Sequence, residues 1–146
     1  MARRAGRGKV QAARMEPVIR RKPTLITEIS REFTFEAAHR LPHVPPGHKC
    51  SRVHGHSYRV EVTLRGPVDP QFGWVVDFAE LTAAWQPLQA QLDHRLLNEV
   101  PGLENPTSEL LAAWVFERVS IPGVQVSKVR VCETCTSACT VYATGS

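Results

Sequence analysis

The chain has 146 residues, of which 42% are apolar and 22% are charged, and this composition predicts one soluble domain with an ordinary hydrophobic core. No apolar run approaches the roughly 18 residues of a membrane-spanning helix, and no short apolar segment follows the basic N-terminus to form a secretory signal. We therefore expect a cytoplasmic protein without a membrane partner.

Positive charge is concentrated at the N-terminus. Residues 1–27 contain eight Lys or Arg and one acidic residue, whereas the rest of the chain has more acidic than basic side chains. A basic segment can bind nucleic acid, but this one has little apolar periodicity with which to fold. We expect residues 1–27 to be a disordered extension without a nucleic-acid partner, and residues 28–146 to form the single domain.

Two segments have the period of half-buried strands. Residues 32–37 alternate polar and apolar side chains with the odd positions inward, and His39 continues that inward row. Residues 58–65 alternate with the even positions inward, and His54 and His56 share their parity. All three histidines are therefore expected on one buried face.

Two helices are predicted between the strand pairs. Asp77 caps the first helix, and Pro87 should kink or split it. For the second helix we expect Asn105 as the cap and Pro106 at the first helical position. Each helix has an apolar stripe, formed by Phe78, Leu81, Trp85, Leu88 and Leu92 in the first and by Leu111, Trp114, Val115 and Val119 in the second.

The C-terminal part predicts two more strands joined by a turn at residues 136–138. Val129 and Val131 face inward, and Glu133 is next in the same row. The order is strand, strand, helix, helix, strand, strand. It indicates an α+β domain in which two helices pack on one face of a four-stranded antiparallel sheet.

Three inward histidines point to metal chemistry. A single inward histidine is usually a hydrogen-bonded core residue, but His39, His54 and His56 together suit a zinc ion. Three protein ligands leave one tetrahedral position open, as in catalytic sites. The cysteines Cys132, Cys135 and Cys139 lack the spacing of a complete four-ligand site, so a structural zinc knuckle is disfavoured there.

Cys50 and Glu133 are the candidates for chemistry beside that metal. Cys50 lies between Lys49 and Arg52 and four residues before His54, which favours a thiolate that acts as base or nucleophile; the alternative is a fourth metal ligand. Asp93 and His94 could complete a Cys/His/Asp relay with it. Glu133 requires a partner on an apolar face, such as a ligand with two N–H donors, unless it only reaches solvent at the strand end.

Six blocks in chain order resemble the 6-pyruvoyltetrahydropterin synthase superfamily. They are Phe33–His39, Cys50-x-x-x-His54-Gly55-His56, Gly73–Phe78, Leu92–Asn98, Asn105–Glu109 and Glu133-Thr134. The second block is the most specific. In detail the chain is most similar to the bacterial members that make 6-carboxytetrahydropterin, a precursor of queuosine and related deazapurines.

The resemblance implies a tunnelling fold in which subunits join their sheets around a barrel, as a hexamer of two stacked trimers or as a tetramer, with active sites at subunit interfaces. It implies conversion of 7,8-dihydroneopterin triphosphate to 6-carboxytetrahydropterin with loss of acetaldehyde and triphosphate; the nearest alternative is a 6-pyruvoyltetrahydropterin synthase. The implied roles are zinc ligands for His39, His54 and His56, proton transfer for Cys50, Asp93 and His94, and substrate binding for Glu133, Thr107 and Glu109.

Overall fold

The computed structural model describes residues 14–16 and 19–145, so residues 1–13 and 17–18 of the predicted disordered extension lie outside the described part. Ile26 and Thr27, which were predicted to belong to that extension, lie in the first strand. The helices and strands follow the predicted α+β order, with one short strand added. In chain order they are β1 (Ile26–His39), β2 (His54–Pro67), α1 (Phe78–Leu92), β3 (Arg95–Leu96), α2 (Ser108–Arg118), β4 (Gln125–Thr134) and β5 (Ser137–Tyr142). Short 3₁₀ helices cover Lys49–Ser51 and Leu97–Glu99. None of the helices in these residues is long and apolar enough to cross a membrane.

The sheet has five strands in the order β3-β1-β2-β4-β5, so the predicted number of four was wrong. The additional strand β3 has only two residues and runs parallel to β1, whereas all other neighbours are antiparallel. A two-residue strand cannot show a period of two, which is why the sequence pattern does not reveal it. In the described chain, the side of β1 that faces away from β2 has no strand beside it at residues 26–35, and neither has the side of β5 that faces away from β4.

The predicted strand faces are confirmed. Phe35 and Ala37 of β1 are buried, and the inward row of β2 is closed to solvent at Tyr58, Val60, Val62 and Leu64. The helices cover this face: the ring of Trp85 in α1 stacks on Phe33 at a centroid distance of 4.8 Å. The opposite face carries the polar residues of the same strands, which places the whole core between the sheet and the two helices.

The two helix starts had different outcomes. Asp77 caps α1 as predicted, because its side chain accepts a hydrogen bond from the N–H of Ala79. The helix is continuous through Pro87, so the predicted split does not occur. The cap of α2 is Thr107 and not Asn105, since the Thr107 hydroxyl accepts from the N–H of Leu110. Asn105 and Pro106 therefore precede the helix, which leaves the Pro106 carbonyl available elsewhere.

Candidate metal centre and active site

The three predicted histidines meet at one end of the β1–β2 pair. His39 ends β1 directly opposite His54, and His56 is paired with Ala37. One ring nitrogen from each histidine lies within 4.8 Å of the other two. They are the only group of three or more His, Cys, Asp or Glu side chains with metal-site spacing in the part of the chain that the structure describes.

Backbone carbonyls orient two of these rings. The Nδ1 of His39 lies 2.9 Å from the carbonyl oxygen of Pro106, and the Nδ1 of His54 lies 2.7 Å from that of Arg52. A carbonyl can only accept, so in both rings Nδ1 carries a proton, and when the ring is neutral Nε2 has a lone pair for a metal. The two Nε2 atoms are 3.1 Å apart. Histidines that bind metals typically donate the N–H of the other ring nitrogen to a backbone carbonyl, as His39 and His54 do here.

His56 supplies the third nitrogen. Its Nε2 is buried and has no hydrogen-bond partner among the described residues. Burial is the main cause that lowers its pKa, against the opposing charge of Glu133, and this favours the neutral ring that a metal requires. Three neutral imidazoles at tetrahedral bonds of about 2.0–2.1 Å would place their nitrogens about 3.3 Å apart. The observed His39–His54 separation of 3.1 Å is close to that value, so the donor set fits a metal ion.

Glu133 lies against the same cluster. Its Oε1 is 3.1 Å from the Nε2 of His39 and 3.5 Å from the Nε2 of His56. The hydrogen bond from His39, which requires a proton on Nε2 as well as on Nδ1, is the main cause that holds the pKa of Glu133 below its usual value; burial opposes it, and the positive charge of protonated histidine adds to it. The carboxylate therefore lies on the histidines and does not extend into solvent from the strand end. It also raises the pKa of Tyr58, whose burial is the larger cause.

Cys50 lies in the loop between β1 and β2 and is held by its backbone. Its N–H donates to the Nδ1 of His48, which caps the first 3₁₀ helix, and its carbonyl accepts from the N–H of Leu41. The thiol is partly buried. Within the described residues it makes no hydrogen bond to Asp93 or His94, so the predicted relay stays a prediction.

Asp93 and His94 lie together at the edge of β1. The Asp93 Oδ2 is 3.0 Å from the Nδ1 of His94, and Oδ1 accepts from the N–H of Glu36 at 2.9 Å. His94 has a φ of 56°, and its side chain is 78% exposed. With His56 it borders an open cleft of about 470 Å³, which is also lined by Glu36, Ala37, Ala38, Gly55, Ser57 and Arg95.

The remaining predicted residues lie at the start of α2. Thr107 caps α2, and Glu109 is exposed in the first turn of that helix. The pKa of Cys139 is raised, mainly by burial and further by the nearby charge of Glu109. Neither Thr107 nor Glu109 hydrogen-bonds to a residue of the histidine cluster within the described chain.

The contacts that hold the site in place include groups that sequence reasoning missed. The carbonyls of Arg52 and Pro106 leave no trace in a residue pattern, because every residue has one. The His48 side chain accepts from the backbone N–H of Cys50 itself, and the Asn98 side chain binds the backbone of Arg40, the residue that follows His39. Asn98 lies in the block Leu92–Asn98, which resembles the family, and this is the one sequence feature that could have indicated its importance.

Known proteins are similar to this chain over most of its length. A family model described as 6-pyruvoyl tetrahydropterin synthase matches residues 28–144. A 6-carboxy-5,6,7,8-tetrahydropterin synthase of Synechocystis sp. is 47% identical over 118 residues, covering 75% of this chain and 88% of that protein. A dihydroneopterin monophosphate aldolase of Pyrococcus furiosus is 34% identical over 92 residues, covering 62% of this chain and 74% of that protein.

The solved structure of Caenorhabditis elegans 6-pyruvoyl tetrahydropterin synthase superposes with a TM-score of 0.75 at 32% identity, covering 83% of this chain and 98% of that chain. The α+β fold is thus shared with enzymes whose names place them in pterin chemistry. The chain belongs to the 6-pyruvoyl tetrahydropterin synthase family and is an enzyme of this type.

Proposed function

We propose that the chain is a zinc enzyme that converts 7,8-dihydroneopterin triphosphate to 6-carboxytetrahydropterin. The observation that carries this proposal is the convergence of three histidine nitrogens with the Glu133 carboxylate at one point. The similarity to the Synechocystis protein supports the choice of product. We further propose that this product is used in queuosine or deazapurine biosynthesis and that the enzyme acts in the cytoplasm.

The reaction balances with one water molecule consumed and acetaldehyde and triphosphate released. The pterin ring gains two hydrogens while the retained side-chain carbon becomes a carboxylate, so no external reductant is required. When bound, zinc supplies a Lewis acid for the side-chain oxygens of the substrate. His39, His54 and His56 would hold it, with His39 and His54 oriented by the Pro106 and Arg52 carbonyls.

The proton steps fall to this chain's own residues. Cys50 removes a proton from a side-chain carbon, and His94, oriented by Asp93, carries protons to and from the cleft beside His56. Glu133 accepts hydrogen bonds from the ring N–H and the exocyclic amino group of the pterin. Its position beside the zinc ligands would present the side chain of a bound pterin to the metal.

The active enzyme is proposed to be a homo-oligomer with sites between subunits. Cys50 and His94 are unconnected in one chain, and His94 is largely exposed. The free sides of β1 and β5 are available for strand pairing with other copies. Native mass spectrometry would distinguish a hexamer or tetramer from a monomer, and an active monomer would contradict this arrangement.

Product analysis tests the proposed reaction. Purified enzyme with zinc and dihydroneopterin triphosphate should release acetaldehyde and yield 6-carboxytetrahydropterin, identified by mass spectrometry. The alternative function is that of the structurally similar Caenorhabditis elegans enzyme, 6-pyruvoyl tetrahydropterin synthase. That activity would retain the side-chain carbons and release no acetaldehyde.

A further inference from the structure

The side chain of Asn98 continues the hydrogen bonding between β1 and β3 beyond the end of their backbone pairing. The backbone pairing ends at Ala38 and Leu96. Two residues further along, the Oδ1 of Asn98 accepts from the N–H of Arg40 at 2.9 Å, and its Nδ2 donates to the carbonyl of Arg40 at 2.8 Å. The amide thus binds both polar groups of the residue that follows His39, as a neighbouring strand would.

The same amide also reaches the segment that orients His39. The Nδ2 of Asn98 lies 3.3 Å from the carbonyl oxygen of Glu104. Two residues later, Pro106 provides the carbonyl that accepts from the Nδ1 of His39. Asn98 therefore binds the backbone on both sides of the His39 ring: the strand that carries the ring and the segment that fixes its rotation.

We propose that Asn98 is a positioning residue for His39 as a metal ligand. This inference rests on the proposed metal site and adds a residue that does not touch the metal. His39 is 1% exposed, so its ring has little room to find another hydrogen-bond partner. Loss of a group that orients a ligand typically costs about 10-fold to 100-fold in metal affinity. We expect a loss in that range for Asn98→Ala.

Gln89 offers a matched control. Its side chain also joins two parts of the fold, because its Oε1 accepts from the indole of Trp85 and its Nε2 donates to the carbonyl of Thr34 in β1. It makes none of the contacts around His39. Gln89→Ala should therefore lower the thermal stability while the metal affinity stays within about threefold of that of the unmodified protein.

The test is zinc affinity, measured by competition with a chromophoric chelator, for the unmodified chain, Asn98→Ala, Asn98→Asp and Gln89→Ala, with a cobalt absorption spectrum of each. Asn98→Asp keeps the acceptor for Arg40 but opposes two carbonyls with a second oxygen, and it decides the question if Asn98→Ala does not fold. We expect weaker zinc binding and a changed cobalt spectrum in both Asn98 variants and neither change in Gln89→Ala.

Three outcomes would overturn the inference. Asn98 variants that bind zinc as tightly as the unmodified chain would show that Asn98 does not position a ligand. An equal loss of affinity in Gln89→Ala would show that affinity follows stability. An unmodified chain that binds neither zinc nor cobalt would remove the metal site itself, and with it the proposed function.

Discussion

The Asp93 carboxylate accepts a hydrogen bond from the backbone N–H of Glu36, directly before the residues of β1 that pair with β3. The N–H of His94 returns a bond to the Glu36 carbonyl. The end of α1 is thereby fixed to the strand that carries His39. Asp93 thus has a structural role in addition to its contact with His94.

The hydrogen bonds of the Asp93 carboxylate predict that its contribution to the stability of the fold depends on pH. The N–H of Glu36 and, second, the hydrogen bond with His94 lower the pKa of Asp93. Its contribution is therefore fully present above the unfolded pKa of about 3.9 and is lost as the pH falls through the lower folded-state pKa. Asp93→Asn keeps an acceptor for Glu36 but removes the charge. The difference in Tm between the two proteins should be larger near pH 5 than near pH 2. A difference independent of pH would contradict this account.

Removing a proposed ligand should remove the metal. We expect one zinc per chain in the unmodified protein and much less in His56→Ala, because two imidazoles hold zinc poorly. His43→Ala is the matched control, since His43 is exposed and makes no hydrogen bond within the described residues. Elemental analysis of the three proteins measures this directly. A metal-free protein with full activity would exclude the zinc mechanism.

Cys50→Ala should keep the metal and the fold but lose about 100-fold to 10,000-fold in kcat, the range for a positioned general base. Cys135→Ala is the control, because Cys135 is an exposed thiol. Turnover and zinc content are measured on the same samples. Loss of zinc together with activity would show instead that Cys50 is a fourth ligand.

Glu133→Gln should weaken pterin binding. The amide replaces one acceptor oxygen with a donor that opposes a donor of the ligand, at a cost of about 2–4 kcal/mol. Pterin affinity or kcat/KM should fall about 30-fold to 1,000-fold, with zinc content unchanged. Titration calorimetry with a pterin measures the affinity. Unchanged affinity would mean that Glu133 does not bind the pterin and contacts only His39 and His56.

The same substitution tests how the carboxylate affects the metal-free protein. Its lowered pKa shows that the folded site stabilises the charged form, chiefly through His39. An unpaired carboxylate would instead make Glu133→Gln stabilising. We therefore expect no gain in Tm for the metal-free variant near pH 5, where imidazoles carry a proton, and a clear rise would contradict the observed contact.

Strand parity was sufficient to predict the histidine cluster. Alternate side chains of a strand share a face, so His39 follows Phe35 and Ala37 inward whatever the rest of the fold does. Glu133 was predictable in the same way from Val129 and Val131. The pairing between β4 and β5 is irregular at this point, and residue spacing does not predict the distance from Glu133 to the histidines.

Features that depend on single contacts were not predictable. Asn105 and Thr107 are both good caps in sequence, and only the packing of the preceding segment decides between them. β3 forms because the chain leaving α1 is held beside β1 by Asp93 and Asn98. The separation of Cys50 from His94 depends on tertiary structure, and local patterns carry no information about it.

The direct opposition of His39 and His54 also limits how this protein can misfold. If β1 slipped by one residue against β2, each side chain of the moved strand would exchange faces. His39 would leave the cluster, and Phe35 and Ala37 would leave the core with it. A one-residue slip therefore cannot scatter the histidines and keep the core, so this register error is opposed by core burial as well as by loss of the metal ligands.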